Sequence, residues 1–88
     1  MTTGTLYRLH TAIEKIREFG AGDILRGPGT IRLLQRDDEK RYRMIACGAL
    51  IPGSGRKGDL YDPQRLVEIL TVFERERALA HLAEQQAA

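Results

Sequence analysis

The chain has 88 residues, of which 42% are hydrophobic and 30% are charged, and its formal net charge is +2. This size and composition predict one small globular domain over residues 1–88 and exclude a disordered chain. No apolar run approaches the roughly 18 residues of a membrane-spanning helix, and no secretion signal is recognisable. A single cysteine, Cys47, cannot form an internal disulfide. We therefore expect a cytoplasmic protein that does not contact membranes.

The charge is unevenly distributed along the chain. Residues 1–29 carry four basic and three acidic side chains, residues 30–58 carry seven and three, and residues 59–88 carry three and six. The net charges of these three segments are thus +1, +4 and −3. A basic middle beside an acidic end predicts two chemically different surfaces, of which the basic one suits phosphate.

The first predicted element is an amphipathic helix over residues 5–19. Its apolar face consists of residues spaced three or four apart: Leu6, Leu9, Ile13 and Ile16. Gly20 ends the helix, because glycine adopts the left-handed backbone conformation without steric cost. The glycine-rich stretch of residues 20–29 predicts a connector with one short turn.

The middle of the chain has two interpretations, and the first is a helix-turn-helix over residues 30–47. Its second helix has Asp37 or Asp38 as N-cap, and Gly48 closes it. Two side chains of this helix are expected to face the core: Tyr42 and Ile45.

The second interpretation is a β-hairpin over residues 30–51, which would make the fold α+β. Ile31 and Leu33 alternate with Arg32, a polar loop surrounds the acidic run, and residues 42–51 return as a strand. We favour the helices, because the loop contains no glycine and no Asn-Gly or Asp-Gly pair.

A glycine-rich turn at residues 50–61 precedes the last helix. Its G-x-G-x-x-G pattern lacks the preceding strand and the nucleotide-binding fold that a dinucleotide site needs, so we expect no cofactor. His10 and His81 lie far apart in the sequence with no metal-ligand spacing, and Cys47 has no recognisable base. We expect neither a metal site nor an enzyme.

The last helix is predicted over residues 63–83. Asp62 is a suitable N-cap, and Pro63 sits at the first helical position, where its missing N–H costs nothing. The distal half extends further than a small core needs, so we expect a homodimer. The side chains expected at the dimer interface are Leu70, Phe73, Leu79 and Leu82.

Three segments follow each other between residues 29 and 70: TIRLLQ, RYRMIACGALIP and GSGRKGDLYDP. Together they resemble the winged helix-turn-helix of MerR-type regulators and of phage excisionase-like proteins. In those families a two-helix unit ends with a glycine and a leucine-proline step, and a short wing and another helix follow. The resemblance implies a mostly α-helical winged helix-turn-helix, here with an extra N-terminal helix and a long C-terminal helix. This chain departs from the family with three acidic residues, Asp37–Glu39, at the start of the recognition helix.

The resemblance implies a transcriptional regulator or an excisionase-like recombination factor that binds duplex DNA. Arg41 is expected at a guanine edge, and the other cations are expected at phosphates or in the minor groove. The expected DNA-binding residues are Arg36, Lys40, Arg41, Arg43, Arg56 and Lys57. The alternative is a protein-interaction module or inhibitor from a phage or mobile element, which uses the acidic run to bind a larger host complex.

Overall fold

The computed structural model describes residues 5–25, 30, 36–53 and 58–87. This part of the protein is mostly helical, with three α-helices, one short 3-10 helix and one two-stranded antiparallel sheet. The elements in chain order are α1 (Leu9–Glu18), the 3-10 helix (Gly22–Leu25), α2 (Asp38–Ala46), β1 (Leu50–Ile51), β2 (Leu60–Tyr61) and α3 (Pro63–Ala87). No described helix is both long enough and apolar enough to span a membrane.

Helix α1 is shorter than the predicted helix over residues 5–19. The amide of Tyr7 donates to the carbonyl of Tyr61 at 2.9 Å, and the amide of Tyr61 donates to the carbonyl of Tyr7 at 2.7 Å. Because these backbone groups are paired with β2, residues 5–8 do not continue the helix. At the other end Gly20 has a φ of 80°, which confirms the predicted stop.

Helix α2 rules out the β-hairpin over residues 30–51, because residues 38–46 are helical. The side chain of Asp37 caps the helix by accepting a hydrogen bond from the amide of Lys40 at 3.1 Å. Gly48, with a φ of 83°, closes it, so both predicted ends are confirmed. The first helix of the predicted helix-turn-helix falls largely on residues 31–35, which lie outside the described residues.

The orientation of α2 differs from the prediction. Tyr42 is 71% exposed and Ile45 is 37% exposed, whereas Met44 is fully buried. The prediction that Tyr42 and Ile45 face the core was therefore wrong. Met44 instead packs in the core with Ala49 and Leu50, which follow the helix directly.

The two strands lie within residues 50–61, the segment predicted as a wing, and pair with each other as a two-stranded antiparallel sheet. Leu50 lies opposite Tyr61, and Ile51 lies opposite Leu60, in an antiparallel register. Strand β2 is the central segment of this small sheet, because Tyr7 pairs with Tyr61 on its other side. Arg56 and Lys57 lie outside the described residues.

Helix α3 closes the core with its first three turns. Asp62 caps it, since its carboxylate accepts hydrogen bonds from the amides of Gln64 at 3.1 Å and Arg65 at 3.4 Å. Leu66, Leu70 and Phe73 are buried together with side chains of α1, the 3-10 helix and β2. The helix continues to Ala87 rather than ending at residue 83, and no described side chain after Phe73 is buried.

Candidate nucleic-acid interface

Helix α2 directly precedes the hairpin in the chain, and one side of the helix is exposed. We call it the outer face of α2, and its exposed residues are Asp38, Glu39, Tyr42, Ile45 and Ala46. An α-helix advances about 100° per residue, so these positions share one side of the helix, with Tyr42 near its centre. The outer face is therefore acidic in its first turn and apolar in the rest.

Arg41 lies at one edge of the outer face. Its guanidinium donates to the two carboxylate oxygens of Asp59 at 2.8 and 3.4 Å, and both side chains are partly buried. The same carboxylate accepts a hydrogen bond from the amide of Gly53 at 3.1 Å. The Arg41 guanidinium, assisted by the Gly53 amide, lowers the pKa of Asp59 below its usual value. Asp59 thus joins α2 to both arms of the hairpin.

Arg43 lies at the opposite edge of the outer face. Its two terminal nitrogens donate to the two carboxylate oxygens of Glu76 at 2.7 and 2.6 Å. The guanidinium also lies over the ring of Phe73, 4.9 Å from its centroid. These hydrogen bonds lower the pKa of Glu76 and fasten α2 to α3.

The remaining described cations of this region are more accessible. The Nζ atom of Lys40 lies 3.4 Å from a carboxylate oxygen of Asp37, and its side chain is 40% exposed. The hydrogen bond from the Lys40 amide is the main reason why the pKa of Asp37 is lowered. Arg36 is exposed and forms no ion pair with another described residue.

The four predicted cations that the structure describes thus do not form one exposed basic face. Arg41 and Arg43 point to opposite sides of α2 and are each bound to a carboxylate, while Lys40 lies beside its own helix cap. Sequence reasoning did not anticipate Asp59 and Glu76 as their partners. These residues are 18 and 33 positions away from the arginines, so no helical spacing could have indicated the pairs.

The four side chains expected at a dimer interface divide into two groups. Leu70 and Phe73 are only 4% and 7% exposed, because they complete the core of the single chain. Leu79 and Leu82 are 59% and 51% exposed on the distal part of α3. A second copy could therefore be contacted by the distal leucines but not by Leu70 or Phe73.

Other chemistry is sparse in the described residues. No group of three His, Cys, Asp or Glu side chains in that part of the chain lies close enough to hold a metal ion. The hydroxyl of Tyr61 is buried without a hydrogen-bond partner among the described groups, and burial raises its pKa to about 12. A phenol with this pKa stays neutral at physiological pH, which suits its place in the core.

Comparison with protein-family models, with curated proteins and with solved structures finds no match for this chain.

Proposed function

We propose that this protein is a small duplex-DNA-binding protein of the winged helix-turn-helix class, acting as a transcriptional regulator or an excisionase-like recombination factor. The observation that carries the proposal is the arrangement around α2. An exposed helix face has an arginine at each edge, and a two-stranded hairpin follows it within four residues.

The angular positions of the two arginines suit a helix in the major groove. Arg41 and Arg43 each lie about 100° from Tyr42 around the helix axis, one on either side. When a helix lies in the major groove, its centre faces base edges and its sides face the two phosphate strands. A guanidinium has five N–H donors, so each arginine can reach a phosphate while it keeps one bond to its carboxylate.

The hairpin supplies the second proposed contact. Arg56 and Lys57 belong to the chain between β1 and β2, and we assign them to the phosphate backbone or minor groove beside the recognition helix. Arg36 and Lys40, both accessible and near the start of α2, are assigned to phosphates. Arg41 is assigned to a phosphate and not to the guanine edge expected from the sequence, because Asp59 holds its guanidinium at the edge of the outer face.

We further propose a homodimer formed by the distal part of α3. Residues 74–87 span about 21 Å beyond the core and expose Leu79 and Leu82. Pairing two such helices would cover these leucines and place two α2 helices on neighbouring half-sites.

The test is fluorescence-anisotropy binding to a mixed duplex DNA pool over a series of salt concentrations. Log affinity should fall linearly with log salt, with a slope of about −0.9 per phosphate contacted. The double variants Arg56→Ala/Lys57→Ala and Arg36→Ala/Lys40→Ala should each reduce that slope by about two. Arg17→Ala, which removes an exposed cation on α1 that is not assigned to DNA, is the matched control and should leave the slope unchanged. Absence of binding at low salt would refute the proposal.

A second function is favoured by the acidic first turn of the outer face. Asp38 and Glu39 repel phosphate, and together with the exposed Tyr42 they would suit a cationic protein surface. This alternative is the protein-interaction module of a phage or mobile element that binds a larger host complex. It predicts that the wild-type protein does not bind DNA, and that Tyr42→Ala abolishes partner binding in a pull-down.

A further inference from the structure

We infer that the outer face of α2 binds an arginine-containing, partly apolar segment of a partner protein, with the arginine on Tyr42 and beside Asp38 and Glu39. The inference rests on the second proposed function, protein interaction, because it concerns the same exposed face. It names the chemistry by which that face recognises its partner.

The charge balance of α2 is the first support. Each cation of this helix has a carboxylate partner in the same chain, and the pairs are Lys40–Asp37, Arg41–Asp59 and Arg43–Glu76. These pairs carry no net charge. Asp38 and Glu39 are exposed, and their side chains form no ion pair or hydrogen bond with another described residue. The outer face is therefore negatively charged, which complements a cationic partner and not a polyanion.

The position of Tyr42 is the second support. Residues three and four apart are neighbours on the surface of a helix. Asp38 and Glu39 precede Tyr42 by four and three residues, and its side chain is 71% exposed. Ile45 and Ala46, which are also exposed, follow it by three and four residues. An exposed aromatic ring thus has two carboxylates toward the start of the helix and two apolar side chains toward its end.

A guanidinium suits this arrangement better than an ammonium group. Its planar face stacks on an aromatic ring, and its N–H donors point outward toward acceptors at its edges. An arginine lying on Tyr42 would meet the ring and the neighbouring carboxylates at the same time. A lysine would bring a single, strongly hydrated charge that can neither stack nor bridge two acceptors in this way.

The length of the face sets the pattern of the partner. Ile45 lies about 10 Å along the helix axis from Asp38, at about 1.5 Å per residue. A partner segment that follows the helix therefore needs its arginine at one end and an apolar side chain about 10 Å away. This separation corresponds to about three residues of an extended segment or about seven residues of a helix.

A peptide selection tests this chemistry. The full chain selects binders from a displayed library of random peptides of about 16 residues, a length that includes both spacings. The enriched peptide is then synthesised and titrated by fluorescence anisotropy. We expect it to contain an arginine with an apolar residue at one of the two spacings. Replacing that arginine by alanine should weaken binding about tenfold, and lysine should restore only part of the loss.

Variants of the protein locate the site. Asp38→Asn/Glu39→Gln should weaken peptide binding about tenfold, as expected for two exposed ion pairs, and Tyr42→Ala should weaken it at least as much. The matched control Asp23→Asn/Glu84→Gln removes two exposed carboxylates outside the outer face and should leave the affinity unchanged. Circular dichroism checks that each variant is folded.

Titration of the same proteins with duplex DNA separates the inference from the proposed functions. Asp38→Asn/Glu39→Gln should strengthen the binding of DNA to α2 but weaken the binding of the peptide, so the two occupants give opposite signs. Enriched peptides without arginine, or with an affinity that the outer-face variants leave unchanged, would overturn the inference and still support protein interaction. Failure to enrich any peptide would overturn the inference and the second function together. Self-association that is lost in Tyr42→Ala would overturn it by assigning the face to a second copy.

Discussion

The hydrogen-bonded pair of Arg41 and Asp59 gives the most direct test of how α2 and the hairpin are held together. Asp59→Asn keeps the shape of the side chain but removes its charge. The Arg41 guanidinium then loses a carboxylate at 2.8 Å, and the Gly53 amide faces a neutral acceptor.

The expected loss of stability is intermediate between two reference cases. Exposed ion pairs contribute about 0–1 kcal/mol, and hydrogen bonds to charged groups contribute about 1.5–3 kcal/mol. The side chains of Arg41 and Asp59 are 30% and 21% exposed, so we expect the free energy of unfolding to fall by about 1–2 kcal/mol. For a domain of this size, that lowers Tm by roughly 5–15 °C.

Thermal unfolding followed by circular dichroism at neutral pH measures the change. A double-mutant cycle with Arg41→Met isolates the coupling between the two side chains. Asp23→Asn, an exposed carboxylate without a hydrogen bond to a described residue, is the control. A Tm for Asp59→Asn within experimental error of the wild type, with no coupling energy in the cycle, would refute the proposed role of the pair.

The pH dependence of the same variant has a defined sign. The pKa of Asp59 is lower in the folded protein than its ordinary value of about 3.9, so the folded state favours the carboxylate. Its stabilising contribution is complete above the unfolded pKa and is lost as the pH falls through the folded pKa. The stability difference between wild type and Asp59→Asn should thus be constant near neutral pH and shrink in acid below about pH 4. A difference that grows in acid would contradict this assignment.

Further predictions concern other parts of the molecule. Gly48→Ala should lower the free energy of unfolding in urea by about 1–2 kcal/mol, because Gly48 has a positive φ. Gly20→Ala should cost less: Gly20 also has a positive φ, but only a Cβ at Gly48 would meet another side chain, Arg65, at 3.1 Å. Glu76→Gln should strengthen DNA binding at low salt and lower Tm, because the charged Arg43 guanidinium then has no carboxylate partner. Weaker DNA binding by a folded Glu76→Gln protein would count against the phosphate contact of Arg43. The double variant Leu79→Ala/Leu82→Ala should sediment as a monomer, where the wild type sediments as a dimer, and should stay folded. An unchanged sedimentation coefficient would exclude the distal leucines from an interface. Leu70→Ala, which removes a buried core side chain, should instead lower the free energy of unfolding by about 2–5 kcal/mol.

Four helix ends could be predicted from the sequence because they depend on local chemistry. Asp37 and Asp62 cap α2 and α3 as expected, and Gly20 and Gly48 end α1 and α2 in the left-handed conformation. Each of these signals acts on backbone groups within a few residues. The start of α1 could not be predicted in this way, because Tyr7 pairs with Tyr61 far along the chain.

The orientation of α2 and the partners of its arginines were decided only by tertiary structure. The sequence pattern allowed Tyr42 and Ile45 to face the core, but in the structure Met44 is the α2 side chain buried in the core, in one cluster with Ala49 and Leu50. A short helix with apolar residues on several sides has no unique buried face until its neighbours are placed. For the same reason Arg41 and Arg43 could be recognised as cations from the sequence, whereas their binding to Asp59 and Glu76 required the hairpin and α3 to be brought beside them.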